Sequence, residues 1–169
     1  DLWISKEDNQ TRFRAWGMED QLIPLCEDAA KCAFPKNTFD ALISIDSYHY
    51  FGGEPGFFAS HLLPCLKSGG MALIAVPGMK LAYGGESEAL LKQWLSEEAY
   101  MFQSAAYWKE TIGKSDAIAA CETWEMTAFD QPWEEWFATG HAFANNDLSF
   151  YDSLIKPYTT FVGMMIRKR

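Results

Sequence analysis

The run Asp46-Ser47-Tyr48-His49-Tyr50 brings a carboxylate, a hydroxyl, two phenols and an imidazole within five positions. His49 is the natural general base of the group, because an imidazole ordinarily titrates near neutrality and can take a proton at physiological pH. Tyr50 is the second candidate for proton transfer. The pattern also suits simple packing, with a histidine between two tyrosines satisfying one ring nitrogen. His61 and His141 read as structural or surface residues. Cys26, Cys32, Cys65 and Cys121 show no CxxC spacing and no histidine at metal-finger offsets. No metal site is expected, and the thiols read as buried and free, in a reduced cytoplasmic setting.

Two strands and a crossover must position this run. Phe39 to Ile45 is an apolar strand that stops at polar Asp46 and Ser47. Between Glu54 and Lys67, the residues Phe58, Leu62, Cys65 and Leu66 fall on one face of a helix, which Ser68-Gly69-Gly70 ends. Met71 to Val76 is a second apolar strand, leaving through Pro77-Gly78. Strands apolar on both faces and joined by a helix belong to parallel sheets covered on both sides. Ligands of such sheets bind outside the carboxyl ends of the strands, where Asp46 to Tyr50 fall.

Around this centre the periodicity predicts helices over Glu7 to Trp16, Ser87 to Phe102 and Ala105 to Ile112. Short strands are expected over Leu22 to Cys26, Ala117 to Thr127 and Thr160 to Ile166. Pro24 lacks an N–H and suits an edge strand. Asp130 as N-cap, with Pro132 in the first turn, opens a helix running toward Phe143. Trp133, Trp136 and Phe137 share a face of it; core packing and a substrate-covering lid are both open readings.

The motif order FPxxxFD, apolar strand, polar strand end, LxPxLKxGG, and a strand ending in Pro-Gly resembles the Rossmann-like S-adenosylmethionine-dependent methyltransferases. The resemblance is good from Asp1 to about Gly78 and thins to general architecture beyond. It implies an α/β fold: a parallel sheet with an antiparallel last strand, ordered three, two, one, four, five, seven, six. Asp1-Leu2-Trp3 looks like the end of the second strand, which implies a carboxylate at the cofactor's ribose. Asp28 and Ala29 resemble the acidic turn that meets the adenine. Asp46 and Ser47 would lie by the sulfonium, His49 and Tyr50 would be catalytic, and Tyr48, Trp133, Trp136 and Phe137 would line the acceptor pocket.

One departure stands out. No GxGxG follows a strand and opens a helix anywhere in the chain, so the family's first strand and glycine-rich loop are missing from the 169 residues. The expectation is a single methyltransferase domain, residues 1–169, incomplete at its N-terminus and inactive alone.

Composition narrows the partners. Lys plus Arg number 14 against 23 Asp plus Glu, a net charge of −9. The basic face that a phosphate backbone requires is not visible, so nucleic acid is not the expected partner. The apolar runs fall well short of the ~20 residues of a membrane span. A small-molecule acceptor is the expectation. The rival reading is a non-catalytic Rossmann-like module that binds a partner or plays a structural part. A nicotinamide-dependent oxidoreductase shares the fold but fits LKSGG and the Pro-Gly exit less well.

Overall fold

A computed structural model describes residues 2–80, 82, 84–127 and 130–169, with Glu86 described by its backbone alone. It divides into two compact units, Asp1–Phe34 and Pro35–Arg169.

The first unit is built on α1 (Lys6–Ala15). Ser5 caps it by accepting the Asp8 N–H at 3.0 Å. Gly17, in the left-handed region at φ 66°, ends it, its N–H donating to the Arg14 carbonyl at 2.9 Å. The strand expected over Leu22 to Cys26 does not form; this stretch is irregular. Pro24 supplies no N–H, and no described strand of this unit offers a ladder to join.

The second unit holds the sheet. Its strands are β1 (Phe39–Ile45), β2 (Leu66–Met79), the two-residue β3 (Gln103–Ser104), β4 (Ile118–Glu125) and β5 (Thr159–Lys168). The order is β1-β2-β5-β4, with β3 beside the end of β2. β1 and β2 run parallel, with Ile43 opposite Leu73 and Ile45 opposite Ala75. β5 is antiparallel to both β2 and β4. This is the four, five, seven, six portion of the expected order, with the antiparallel strand in its expected place.

The helices of this unit are α2 (Glu86–Leu95), α3 (Ala105–Ile112), α4 (Asp130–Ala138), α5 (Ala142–Phe150) and the short α6 (Lys156–Tyr158). The helix expected to span Glu54 to Lys67 contracts to a wide turn at Phe58–Leu62 and a tight one at Leu63–Cys65. Pro64, inside that stretch, cannot continue a helical ladder. The Ser68-Gly69-Gly70 turn is absorbed into β2. The helix read through Phe102 stops at Leu95, where Ser96 turns left-handed at φ 52°. The helix read toward Phe143 breaks in two at Gly140, φ 64°.

The core lies between the sheet and the turns and helices that follow β1 and β3. Tyr48, Phe58, Ile74, Trp108, Val162 and Ile166 are its buried members. The other sheet face departs from the expectation of cover on both sides: Ile43, Ile45 and Leu73 are 69%, 65% and 41% exposed.

Two glycines are fixed by close approach. A Cβ on Gly52 would sit 2.2 Å from the Tyr48 ring, and one on Gly78 would sit 2.5 Å from the Gln103 carbonyl oxygen. The second explains the Pro-Gly exit of β2. Pro77 lies opposite Phe161 in the antiparallel ladder, and Gly78 then lets β3 come alongside.

Candidate active site

At the carboxyl ends of β1 and β2 lies a cavity of about 730 Å³. Asp46 and His49 reach it from the end of β1, Ala75 and Pro77 from β2, and Phe161 from the start of β5. Its far wall comes from three places: Trp94 in α2, Trp133 and Trp136 in α4, and Asp147 in α5. The volume falls in the range of small-molecule sites, which are typically about 300–1,000 Å³.

Local backbone delivers these side chains. The Asp46 N–H donates to the Ala75 carbonyl at 2.8 Å, extending the parallel ladder by one residue. Asp46 itself turns left-handed, φ 51°, a conformation that Asp tolerates better than most residues. That turn ends the strand, and Tyr48–Tyr50 forms a tight helical turn. Tyr48 is thrown into the core and His49 and Tyr50 toward the cavity.

Tyr48 is therefore not the pocket floor that the sequence suggested. It is fully buried, its ring 5.5 Å from those of Phe51 and Trp108. Burial raises its phenol far above the ordinary range, with the Tyr107 phenol adding to the effect. Phe137 does not line the cavity either. Its ring packs 5.6 Å from Trp133 and 5.2 Å from Tyr151, supporting the wall from behind. Ser47 shares a 2.9 Å hydroxyl–hydroxyl hydrogen bond with Ser44 and braces the strand end.

His49 is 5% exposed. Its Nδ1 has no hydrogen-bond partner among the described residues. The ring lies 4.0 Å from that of Tyr50 and edge-on to Phe102 at 6.4 Å. Burial lowers its pKa to about 4, so the imidazole is neutral at physiological pH but a weaker base than the group titrating near neutrality that the sequence led us to expect. Tyr50 moves the other way. Burial, then the charges of Asp46 and Glu98, hold its phenol protonated, so it can donate a hydrogen bond but is a poor base. Burial also raises the Asp46 carboxyl.

Trp94 and Trp136 are tied to the same carboxylate. The Trp94 Nε1 donates to Asp147 Oδ1 at 2.8 Å and the Trp136 Nε1 to Oδ2 at 2.9 Å. Trp133 lies 5.9 Å from Trp94, so the three indoles form a continuous wall. Sequence reading found two of these indoles but not Trp94, Glu98 or Asp147. Trp94 falls among the acidic and apolar residues of an ordinary amphipathic helix, and Asp147 in a polar one. Only the fold joins them.

The cofactor residues expected upstream belong to the first unit. Leu2 and Trp3 are 55% and 92% exposed. Asp28 accepts the Ala30 N–H at 2.9 Å and pairs with Lys31 at 3.0 Å. These two contacts, Lys31 first, lower its carboxyl below the ordinary value. Ala29, beside it, is exposed. Asp1 lies outside the described residues. Of the four cysteines expected to be buried, only Cys65 is; Cys26 is exposed and Cys32 and Cys121 are half-buried. No group of three or more His, Cys, Asp or Glu suited to a metal occurs among the described residues. None of their helices is long and apolar enough to cross a membrane.

The fold is that of the class I S-adenosylmethionine-dependent methyltransferases, and solved structures carry it at low identity. SpnF, a [4+2]-cyclase, superposes with TM-score 0.69 at 18% identity, over 96% of this chain and 62% of its own. Geranyl diphosphate C-methyltransferase from Streptomyces coelicolor A3(2), solved with Mg2+, geranyl diphosphate and S-adenosylhomocysteine, gives 0.67 at 14% identity, over 97% and 60%. Haemonchus contortus phosphoethanolamine N-methyltransferase 2, with S-adenosylmethionine, gives 0.58 at 19%, over 83% and 36%. The chain thus spans between about a third and two thirds of each of these three. No protein-family model matches it, and no curated protein matches it in sequence.

Proposed function

We propose that this chain is the acceptor-binding and catalytic portion of an S-adenosylmethionine-dependent methyltransferase acting on a small molecule. The carrying observation is the cavity at the carboxyl ends of β1 and β2, with the buried His49 imidazole in its lining. A cavity of this size at a strand-end crevice is where an α/β fold places ligands. Likeness to structures solved with S-adenosylmethionine or its demethylated product supports the cofactor.

The residues present fit the methyl-bearing end of that cofactor. The Asp46 carboxylate and several aromatic faces suit a sulfonium. When bound, the cofactor supplies an electrophilic methyl group on sulfur and leaves as a neutral thioether. Asp46 and Ser47 would hold its sulfonium end; the assignment of Asp1, Leu2, Trp3, Asp28 and Ala29 to its nucleoside end rests on the sequence resemblance alone. His49 takes the acceptor's proton at a ring nitrogen as the new bond to carbon forms. Tyr50 orients the acceptor by donating its phenol hydrogen. Trp133 and Trp136 exclude water, which keeps a poor nucleophile from competing with the acceptor. A cytoplasmic setting belongs to the same reading.

The test is calorimetric titration of S-adenosylmethionine into the product of the complete reading frame that contains this sequence. Micromolar binding, weakened at least tenfold by Asp28→Ala or Asp1→Ala, is expected. Losing an ionic acceptor contact of this kind costs about 1.5–3 kcal/mol. Absence of binding would overturn the enzyme and leave a partner-binding module with the same fold.

A further inference from the structure

Among the described residues the cavity carries charge of one sign. Asp46, Glu98 and Asp147 line it, and no described lysine or arginine does. His49, with its pKa brought down to about 4, adds no positive charge at neutral pH. None of the three carboxylates takes part in a salt bridge among the described residues. Asp46 and Glu98 accept no side-chain hydrogen bond there, and Asp147 accepts only from two neutral indoles. Against them stand six aromatic faces: Trp94, Phe102, Trp133, Trp136, Phe143 and Phe161.

Asp46 and Glu98 are solvent-exposed and Asp147 is half-buried, so the three need no partner to be tolerated. Together they set a negative potential over the cavity that favours a cationic ligand. Aromatic faces also attract a cation, tryptophan most strongly, and the attraction grows as water is removed. An anionic acceptor such as a phosphate or carboxylate ester would meet three negative groups and no donor of positive charge. An uncharged acceptor would gain nothing from that potential.

We infer that the cavity binds an acceptor bearing an organic cation, a protonated or quaternary ammonium joined to an apolar body. The ammonium is held between Glu98, Asp147 and the indoles, and the apolar body lies along Phe143 and Phe161. This inference rests on reading the cavity as the acceptor site. The ammonium is the anchor and the reacting atom is separate from it: a nitrogen that keeps its positive charge has no electron pair for a methyl group.

The probe is phenyltrimethylammonium, followed by tryptophan fluorescence of the full chain without any methyl donor. Its comparators are tert-butylbenzene, an uncharged isostere, and benzoate, a smaller anion on the same ring. The cation is expected to bind at least about tenfold more tightly than either, a difference within reach of cation–π and charge attraction combined. Glu98→Gln removes a charge without removing any hydrogen bond and should weaken the cation about three- to tenfold, with the melting temperature unchanged. Binding of tert-butylbenzene as tight as that of the cation, or Glu98→Gln without effect, would overturn the inference. Because no methyl donor is present, loss of the enzyme reading leaves this result standing. Conversely, methyl transfer to uncharged acceptors alone would sink the cation while keeping the enzyme.

Discussion

Trp94 and Trp136, forty-two positions apart in the chain, meet on the two oxygens of Asp147, at 2.8 and 2.9 Å. The carboxylate joins α2 to α4 through α5 and sets the spacing of the cavity's aromatic wall. Removing it strands two half-buried N–H donors at once. Asp147→Ala should therefore lower stability by about 2 kcal/mol, below the sum of two charge-assisted bonds because the site is only half-buried. Asp147→Asn, which keeps one acceptor oxygen, should cost roughly half as much. Thermal melts with tryptophan emission report both effects. An Ala variant that melts and emits like the parent would mean that the indoles are held by packing alone.

Trp136 tests whether this wall is functional surface or core. Its ring is half-buried, and apart from Asp147 it has His141 at 5.5 Å. Trp136→Ala should thus cost less than the about 3–5 kcal/mol of a fully buried tryptophan. Turnover in the complete protein should fall well beyond that loss, while cofactor affinity stays nearly constant. A large stability loss with normal activity per folded molecule would make Trp136 a core residue.

His49 makes stability depend on pH. Its pKa is about 4 in the folded chain and near 6.5 in the unfolded chain. Between those values the unfolded state binds more protons, so stability is present above pH 6.5 and is lost as the pH falls toward 4. The loss attributable to this residue is up to about 3 kcal/mol, at 1.36 kcal/mol per unit. His49→Phe should flatten that part of the profile. Asp46, whose carboxyl is raised, acts in the opposite sense near the acid end and is common to both proteins. Parallel profiles for the parent and His49→Phe would show that His49 is not the titrating group.

The sequence disclosed the parts of this fold that local chemistry dictates. Phe39–Ile45 and Met71–Val76 read as neighbouring parallel strands because each is an apolar run bounded by polar or glycine residues, and they pair that way. Leu22–Cys26 has the same apolar character, but a strand is defined by its partner, and periodicity cannot supply one. At the site, the chain position of Asp46 and His49 at a strand end was legible. Tyr48 was not: consecutive residues of a tight turn point in different directions, and Tyr48 takes the inward one beside Gly52. Trp94 and Asp147 were invisible for a related reason, since each acquires its role only from a contact 53 residues away.

Gly78 carries the last prediction. It sits where β2 leaves the sheet, opposite Gln103 on β3 and Thr160 on β5. A Cβ there would lie 2.5 Å from the Gln103 carbonyl oxygen and 2.8 Å from a Val162 methyl. The methyl can shift, but the carbonyl belongs to backbone that is paired with β2 and immediately precedes Ser104. Ser104 in turn caps α3 by accepting the Tyr107 N–H at 3.2 Å. Displacing Gln103 also moves Met101 and Phe102, both in the cavity lining. Gly78→Ala should therefore destabilise the protein by about 1–3 kcal/mol, as overpacking does, and should weaken ligand binding in the cavity more than a remote substitution of equal stability cost. Thermal melts paired with the phenyltrimethylammonium titration measure both. An alanine variant with unchanged melting temperature would show that β3 can move aside freely, and the close approach would then not account for the glycine.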